Sequence, residues 1–255
     1  MRSNADYVKA MRLAAASLND SAIARQTGIS RSTIRGWRRG GGRPQPVDSR
    51  PACTGCGHPQ HDYTMLPSAS YAYLLGMYLG DGSIDRMPRT WRLRIALDTA
   101  WPEIIQECAE AIGAVFPANR VLTYRPDPKH RAAVIVVYSN QLVCLFPQHG
   151  PGMKHLRPIE LVPWQAEIVC EQPQQLLRGL IHSDGCRFLN RVRVGGRSYA
   201  YPRYNFTNAS EDIRRLFTST CDLLEIEWRR MNARNISVAR RDSVARLDEF
   251  VGPKS

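Results

Sequence analysis

From residue 66 to the end of the chain, the apolar positions alternate between two spacings. Residues 91–97 (WRLRIAL), 121–124, 133–138, 191–194, 199–206 and 236–240 read as strands with every second side chain turned to a core. Between them lie helix-spaced runs, and two of these match. Residues 96–116 and 205–226 each run from a strand end through a cap-like Thr99 or Asn208 into an amphipathic helix with acidic residues in its first turn. A second match precedes each of these. Residues 74–82 and 177–185 both read apolar, any, Gly, apolar, two of any kind, small, Asp, Gly. The segment is therefore an internal repeat, each half reading helix, strands, helix, strands and a short closing helix. The expected class is α+β. Residues 1–40 are helix-forming with one turn signal, and 41–66 are too rich in Gly and Pro to bury a core. The predicted divisions are 1–40, a linker at 41–66, and half-domains at 67–165 and 166–255.

Charge adds a partner to this outline. The chain of 255 residues has a formal net charge of +12, most of it from Arg. Arg presents a planar fork of donors suited to phosphate and to guanine edges. Several of the alternating strands place Arg on the predicted wet face. An antiparallel sheet with helices on one face and Arg on the other forms a groove for double-stranded DNA. No apolar run approaches a membrane span, and residues 1–13 lack the apolar core of a secretory signal. The expected setting is cytoplasmic and nucleoid-associated, in a monomer with no membrane partner. The preference for Arg over Lys suggests a GC-rich bacterial genome. Seven Cys without a secretory signal argue against a disulfide framework. Cys108, Cys144, Cys170, Cys186 and Cys221 sit in apolar stretches and read as core.

The motifs YLLGMYLGDG (73–82) and LLRGLIHSDG (176–185) resemble the paired motifs of monomeric LAGLIDADG homing endonucleases. The physical reading supports the likeness. Gly76 and Gly179 allow two helix backbones to meet closely, and Gly80 and Ser183 continue the seam one turn on. Gly82 and Gly185 suit a left-handed helix end. Asp81 and Asp184 are then expected side by side, where two buried carboxylates are costly without a cation. The resemblance implies a pseudo-twofold pair of αββαββα half-domains forming an Arg-rich antiparallel saddle. It also implies Mg²⁺ held by Asp81 and Asp184 with the backbone carbonyls of Gly80 and Ser183, and a Lys near the carboxylates. Lys154 fits that position, flanked by His149 and His155 as candidates to move protons. The second half offers no comparable Lys, since an Arg at 240 or 241 cannot act as a base. His182 reads as a seam residue. Candidate DNA contacts are Arg92, Arg94, Arg125 and His155 in the first half, and Arg191, Arg193, Arg203 and Arg240 in the second.

Residues 21–40 resemble a helix-turn-helix. Ala24 is small at a helix crossing, Gly28 marks the turn, Ile29, Ile34 and Trp37 face inward, and Ser30 caps the second helix. That helix would offer Arg31, Ser32, Thr33, Arg35 and Arg38 to a major groove. Cys53, Cys56, His58 and His61 follow, a set with the chemistry to hold a structural Zn²⁺ but tighter spacing than a common finger. The alternatives are a two-Cys knuckle that borrows a distant ligand, and no metal at all. Two functions remain open: a homing-type DNA endonuclease, and a transcription regulator that binds on the same fold without cutting. A weaker third is a role in RNA splicing, for which 8% aromatic content offers no stacking platform.

Overall fold

The computed structural model describes residues 4–39, 52–58, 60–127 and 129–252. Residues 41–51 and 59 of the predicted linker, and Lys254, lie outside the described residues. The chain divides into two compact units, Met1–Ala52 and Cys53–Ser255. Residues 53–66, expected in the linker, belong to the second.

In the first unit, α1 (Asn4–Ala15), α2 (Asp20–Thr27) and α3 (Arg31–Arg38) surround a small core of Ala10, Ile23, Ile29 and Ile34. Asn19 caps α2 by accepting from the Ala22 N–H at 2.9 Å. The α2–α3 turn needs its glycine, because Gly28 sits at φ +67° and donates to the Ala24 carbonyl at 2.9 Å. Ser30 caps α3 by accepting from the Thr33 N–H. Trp37 packs edge-on against Tyr7.

The second unit contains the repeat. Its first half runs α4 (Ser68–Asp81), β1 (Gly82–Arg86), β2 (Trp91–Asp98), α5 (Pro102–Val115), β3 (Leu122–Tyr124), β4 (Ala132–Tyr138) and α6 (Leu142–Leu145). A 3-10 turn at Lys154–Leu156 and α7 (Pro163–Glu171) lead into the second half. There follow α8 (Pro173–Asp184), β5 (Gly185–Val194), β6 (Arg197–Thr207), α9 (Glu211–Leu223), β7 (Arg229–Arg230), β8 (Asn235–Val238) and α10 (Arg241–Phe250). The two antiparallel sheets have matching order, β1-β2-β4-β3 and β5-β6-β8-β7. Helix α4 is buried on every side from Tyr71 to Leu79, as its unbroken apolar sequence requires. It pairs with α8 at the centre of one continuous core.

Several expectations need correction. Residues 133–138 do not alternate: Ala133 to Val137 are all buried, because β4 lies between β2 and β3 and its neighbours enclose Val134 and Val136. Thr99 and Asn208 do follow their strands in matching fashion, each donating its N–H across to a facing carbonyl, of Arg131 and Arg234. Neither caps a helix; the caps are Trp101 and Ser210. Only Cys108 and Cys221 are core cysteines; Cys170 and Cys186 are exposed and Cys144 is half-buried.

Candidate active site and nucleic-acid interface

The seam between α4 and α8 leaves no room for a side chain at its glycines. A Cβ on Gly76 would lie 2.6 Å from the Leu176 carbonyl oxygen, and one on Gly179 would lie 2.2 Å from that of Tyr73. A Cβ on Gly80 would meet Ser183 Oγ at 2.1 Å and Asp184 Oδ2 at 3.1 Å, so the Asp184 carboxylate stands against the end of α4. Gly82 and Gly185 are glycine for a different reason than expected. Both are extended, with φ −84° and −103°, because each helix passes directly into its strand without a loop. A Cβ there would press on the last helical turn, 2.5 Å from Tyr78 Cα and 2.8 Å from Ile181 Cα.

Lys154 stands at the same helix end. Its Nζ donates to the carbonyls of Tyr78, Leu79 and Gly80 at 2.6, 2.8 and 2.7 Å, which uses all three ammonium protons on α4. The last carbonyls of a helix lack full intrahelical partnering (that of Tyr78 also accepts from the Gly82 N–H), and a cation there meets the negative end of the helix dipole. Burial pulls the Lys154 pKa down to about 8, while the Asp184 and Asp81 carboxylates pull it up. Both carboxylates therefore act on one ammonium group. The burial expected of them is only partial: Asp81 is exposed and Asp184 half-buried, so desolvation cost does not by itself demand a cation at Asp81. Asn208 donates to Asp184 Oδ2 at 2.6 Å and so orients that carboxylate. Its sequence context suggested only a cap.

His182 is buried beneath the site, its Nδ1 3.0 Å from the Tyr73 hydroxyl and its Nε2 2.6 Å from the Val251 carbonyl. Ser183 turns its hydroxyl back into the seam, to the carbonyls of Gly179 and Leu180. His149 packs edge-on against Trp91 beside an open cleft of about 810 Å³ that reaches Lys154 and Asp85. Burial and then Arg157 lower the His149 pKa. His155 is exposed on the 3-10 turn.

The register decides which cations share the open face. In β2, Arg92 and Arg94 oppose Asp85 and Ser83, on the side away from buried Leu93 and Ile95. In β6, Arg203 opposes Phe188, away from buried Tyr204 and Phe206. The Nε atoms of Arg92, Arg94 and Arg203 are all buried without a hydrogen-bond partner, but Arg92 also donates through its Nη2 to Asp85 at 2.9 Å. Arg203 and Arg240 line one cleft of about 550 Å³, where Arg240 pairs with Glu227. Arg125 is exposed just beyond β3. Arg191 and Arg193, expected among the DNA contacts, lie on the other side of their hairpin from Arg203. They oppose Ala200 and Ser198, on the same side of the hairpin as Tyr204 and as Arg187, which bonds Asp248 of α10. The open face of that hairpin instead carries Phe188, Asn190, Val192, Tyr199 and Tyr201.

In the first unit, Arg31 and Ser32 are exposed at the start of α3 and Thr33 is half-buried. Arg38 bonds Asp20 at 2.8 Å and Arg35 lies 3.6 Å from the same carboxylate, so that two of the five expected groove contacts are tied to α2. Among the cysteines, Cys53, Cys56, His61 and Cys144 bring their ligand atoms within 4.8 Å of one another. His58 is exposed and outside this group; its backbone carbonyl accepts from the Cys53 N–H.

No protein-family model and no curated protein matches the sequence. Solved structures match the fold. I-DmoI in complex with DNA and Mn aligns with a TM-score of 0.50 and 13% identity, over 73% of this chain and 98% of that one. I-DmoI in complex with DNA and Ca gives 0.50 and 15%, over 73% and 91%. The LAGLIDADG meganuclease I-AabMI bound to uncleaved DNA gives 0.46 and 11%, over 71% and 82%. At these identities the likeness is one of fold: the second unit has the two-repeat LAGLIDADG homing-endonuclease fold, in a mixed α+β chain. No helix among the described residues is long and apolar enough to cross a membrane.

Proposed function

We propose that this chain binds double-stranded DNA sequence-specifically and hydrolyses its phosphodiester bonds with divalent cations held at Asp81 and Asp184. The observation that carries this reading is the convergence of both carboxylates on Lys154, at the end of a helix pair packed backbone to backbone. Carboxylate oxygens suit Mg²⁺ or Mn²⁺. The Gly80 carbonyl accepts from Lys154, so the carboxylates are the better donors and the α4 carbonyls the poorer ones. A bound cation would supply Lewis acidity to a scissile phosphate and a more acidic water. Asn208 would hold Asp184 in place, and Lys154 would balance charge beside the two carboxylates. Arg94 and Arg203 would meet phosphates across the open faces of the two sheets. Both carboxylates come from one polypeptide, which supports action as a monomer. The first unit would add helix-turn-helix contacts through Arg31, Ser32 and Thr33.

A second reading, binding without cleavage, is favoured by one observation: Lys154 spends its three protons on helix carbonyls, which is a structural role. One experiment separates the two. Duplexes bound by the full chain are selected from a random library, and the best is incubated with Mg²⁺ or Mn²⁺. The expected result is cleavage by the wild type. In Asp81→Asn or Asp184→Asn, cleavage should fall by roughly 10²–10³-fold or more, the scale of losing one major charge-stabilising group, with binding retained. Tight binding with no cleavage in either metal would establish the regulator instead.

A further inference from the structure

We propose that Cys53, Cys56, His61 and Cys144 form a structural zinc site that fastens the start of the second unit to α6. The site uses neither the carboxylates nor the open sheet faces. Its ligand set differs from the one the local spacing suggests. Cys53 and Cys56 come from a short turn, with Gly57 at φ +72° reversing the chain after Cys56 and the Gly57 N–H donating to the Cys53 carbonyl at 2.8 Å. His61 follows in the same segment and places Nε2 3.2 Å from Cys56 Sγ. The fourth group arrives from far along the sequence: Cys144, on α6, has its Sγ 3.6 Å from that of Cys53. Tetrahedral zinc with Zn–S near 2.3 Å and Zn–N near 2.0–2.1 Å requires ligand atoms roughly 3.5–3.8 Å apart. The 3.6 and 3.2 Å separations lie close to that range, and all four ligand atoms fall within 4.8 Å of one another. Three soft sulfurs and one imidazole select zinc over the hard cations suited to Asp81 and Asp184.

The surroundings favour this grouping. A Cβ on Gly55 would sit 3.1 Å from Cys144 Sγ, so a larger residue there would crowd the site. Two residues after His61, Tyr63 stacks on Trp164 of α7 with ring centroids 4.0 Å apart and planes 3° from parallel. Trp164 in turn packs on Tyr71 of α4, whose hydroxyl donates to the Leu145 carbonyl of α6. Residues 53–63 hold little apolar surface of their own, and zinc would supply the anchorage that packing does not.

The test is metal content of the full chain, purified from zinc-supplemented cells without chelator. About one zinc per chain is expected from the four-ligand site. Cys53→Ala and Cys144→Ala should lose it, whereas the exposed Cys170→Ala should keep it. Asp81→Asn and Asp184→Asn should also keep it, which separates this site from the proposed nuclease centre. Replacement by Co²⁺ should give the intense visible bands of a tetrahedral site with thiolate-to-cobalt charge transfer. Should Cys144→Ala fold poorly, Cys144→His restores a ligand, and it should retain cobalt with a shifted spectrum. Zinc-free wild type that takes up no cobalt would overturn the proposal. So would zinc content unaffected by Cys144→Ala, or a Cys53–Cys144 disulfide found by thiol counting in the native protein.

Discussion

Lys154 concentrates the chemistry of the site in one side chain. Its ammonium closes the end of α4 and faces two carboxylates, yet burial still brings its pKa from the ordinary 10.5 down to about 8. The sign of the consequence follows from linkage. Between pH 8 and 10.5 the unfolded chain holds a proton that the folded chain has released, so stability from this group rises with pH across that window. Below pH 8 the folded state bears the full cost of the buried charge, and above the ordinary lysine range it bears none. Denaturation midpoints of wild type and Lys154→Met, compared from pH 7.5 to 9.5, should therefore diverge in favour of the wild type as pH rises. A constant difference would mean that Lys154 titrates normally. The lysine is picked out in the sequence by its Gly-x-Lys segment ahead of the second motif, and its side chain lies at the end of α4. Asn208 is not picked out. Its side chain reaches Asp184 only because α8 and the end of β6 meet in space, and a lone Asn before a helix reads as a cap.

At the scale of elements, the glycine seam explains why the motif could be read at all. Close approach of two helices imposes residue types at fixed spacing within each helix, so Gly76, Gly179, Gly80 and Ser183 carry the information locally. The same reasoning failed at Gly82 and Gly185, where the constraint is steric pressure from the preceding turn and not a left-handed φ. It failed again at Cys144, since no local pattern on α6 announces that its sulfur meets Cys53. The seam makes a clear prediction. In Gly179→Ala the new Cβ would press on the Tyr73 backbone, which cannot swing aside, and the helices must separate. A loss of about 3 kcal/mol or more in denaturant unfolding is expected, at or above the usual cost of overpacking. Gly113→Ala is the matched control. It lies in α5 with its nearest neighbour 4.0 Å away, and should gain roughly 0.5–1 kcal/mol from helix propensity. Equal tolerance of both substitutions would show that α4 and α8 do not meet through glycine.

Across the whole second unit, the distribution of cations is set by register and not by composition. The net charge of +12 and the Arg-rich strands predicted an open face, and the two sheets provide one. Which Arg belongs to it depends on hairpin parity relative to the core, and a strand with Arg at 187, 191 and 193 offers no local clue to that parity. Arg94 and Arg203 fall on the open side with buried, unpartnered Nε atoms; Arg191 and Arg193 fall on the side of α10. Arg92 and Arg240 are partly neutralised by Asp85 and Glu227, which should blunt their pull on phosphates. If duplex DNA lies on the open face, each phosphate neutralised there contributes about 0.9 to the slope of log affinity against log salt. Arg94→Ala and Arg203→Ala should each flatten that slope by about this amount and weaken binding most at low salt. The double substitution Arg191→Ala with Arg193→Ala should leave it nearly unchanged, although it removes twice the charge of either single variant. If the double variant proves the more damaging, the duplex runs along the α10 side of the long hairpin, and the face that carries Phe188, Tyr199 and Tyr201 is free for another use.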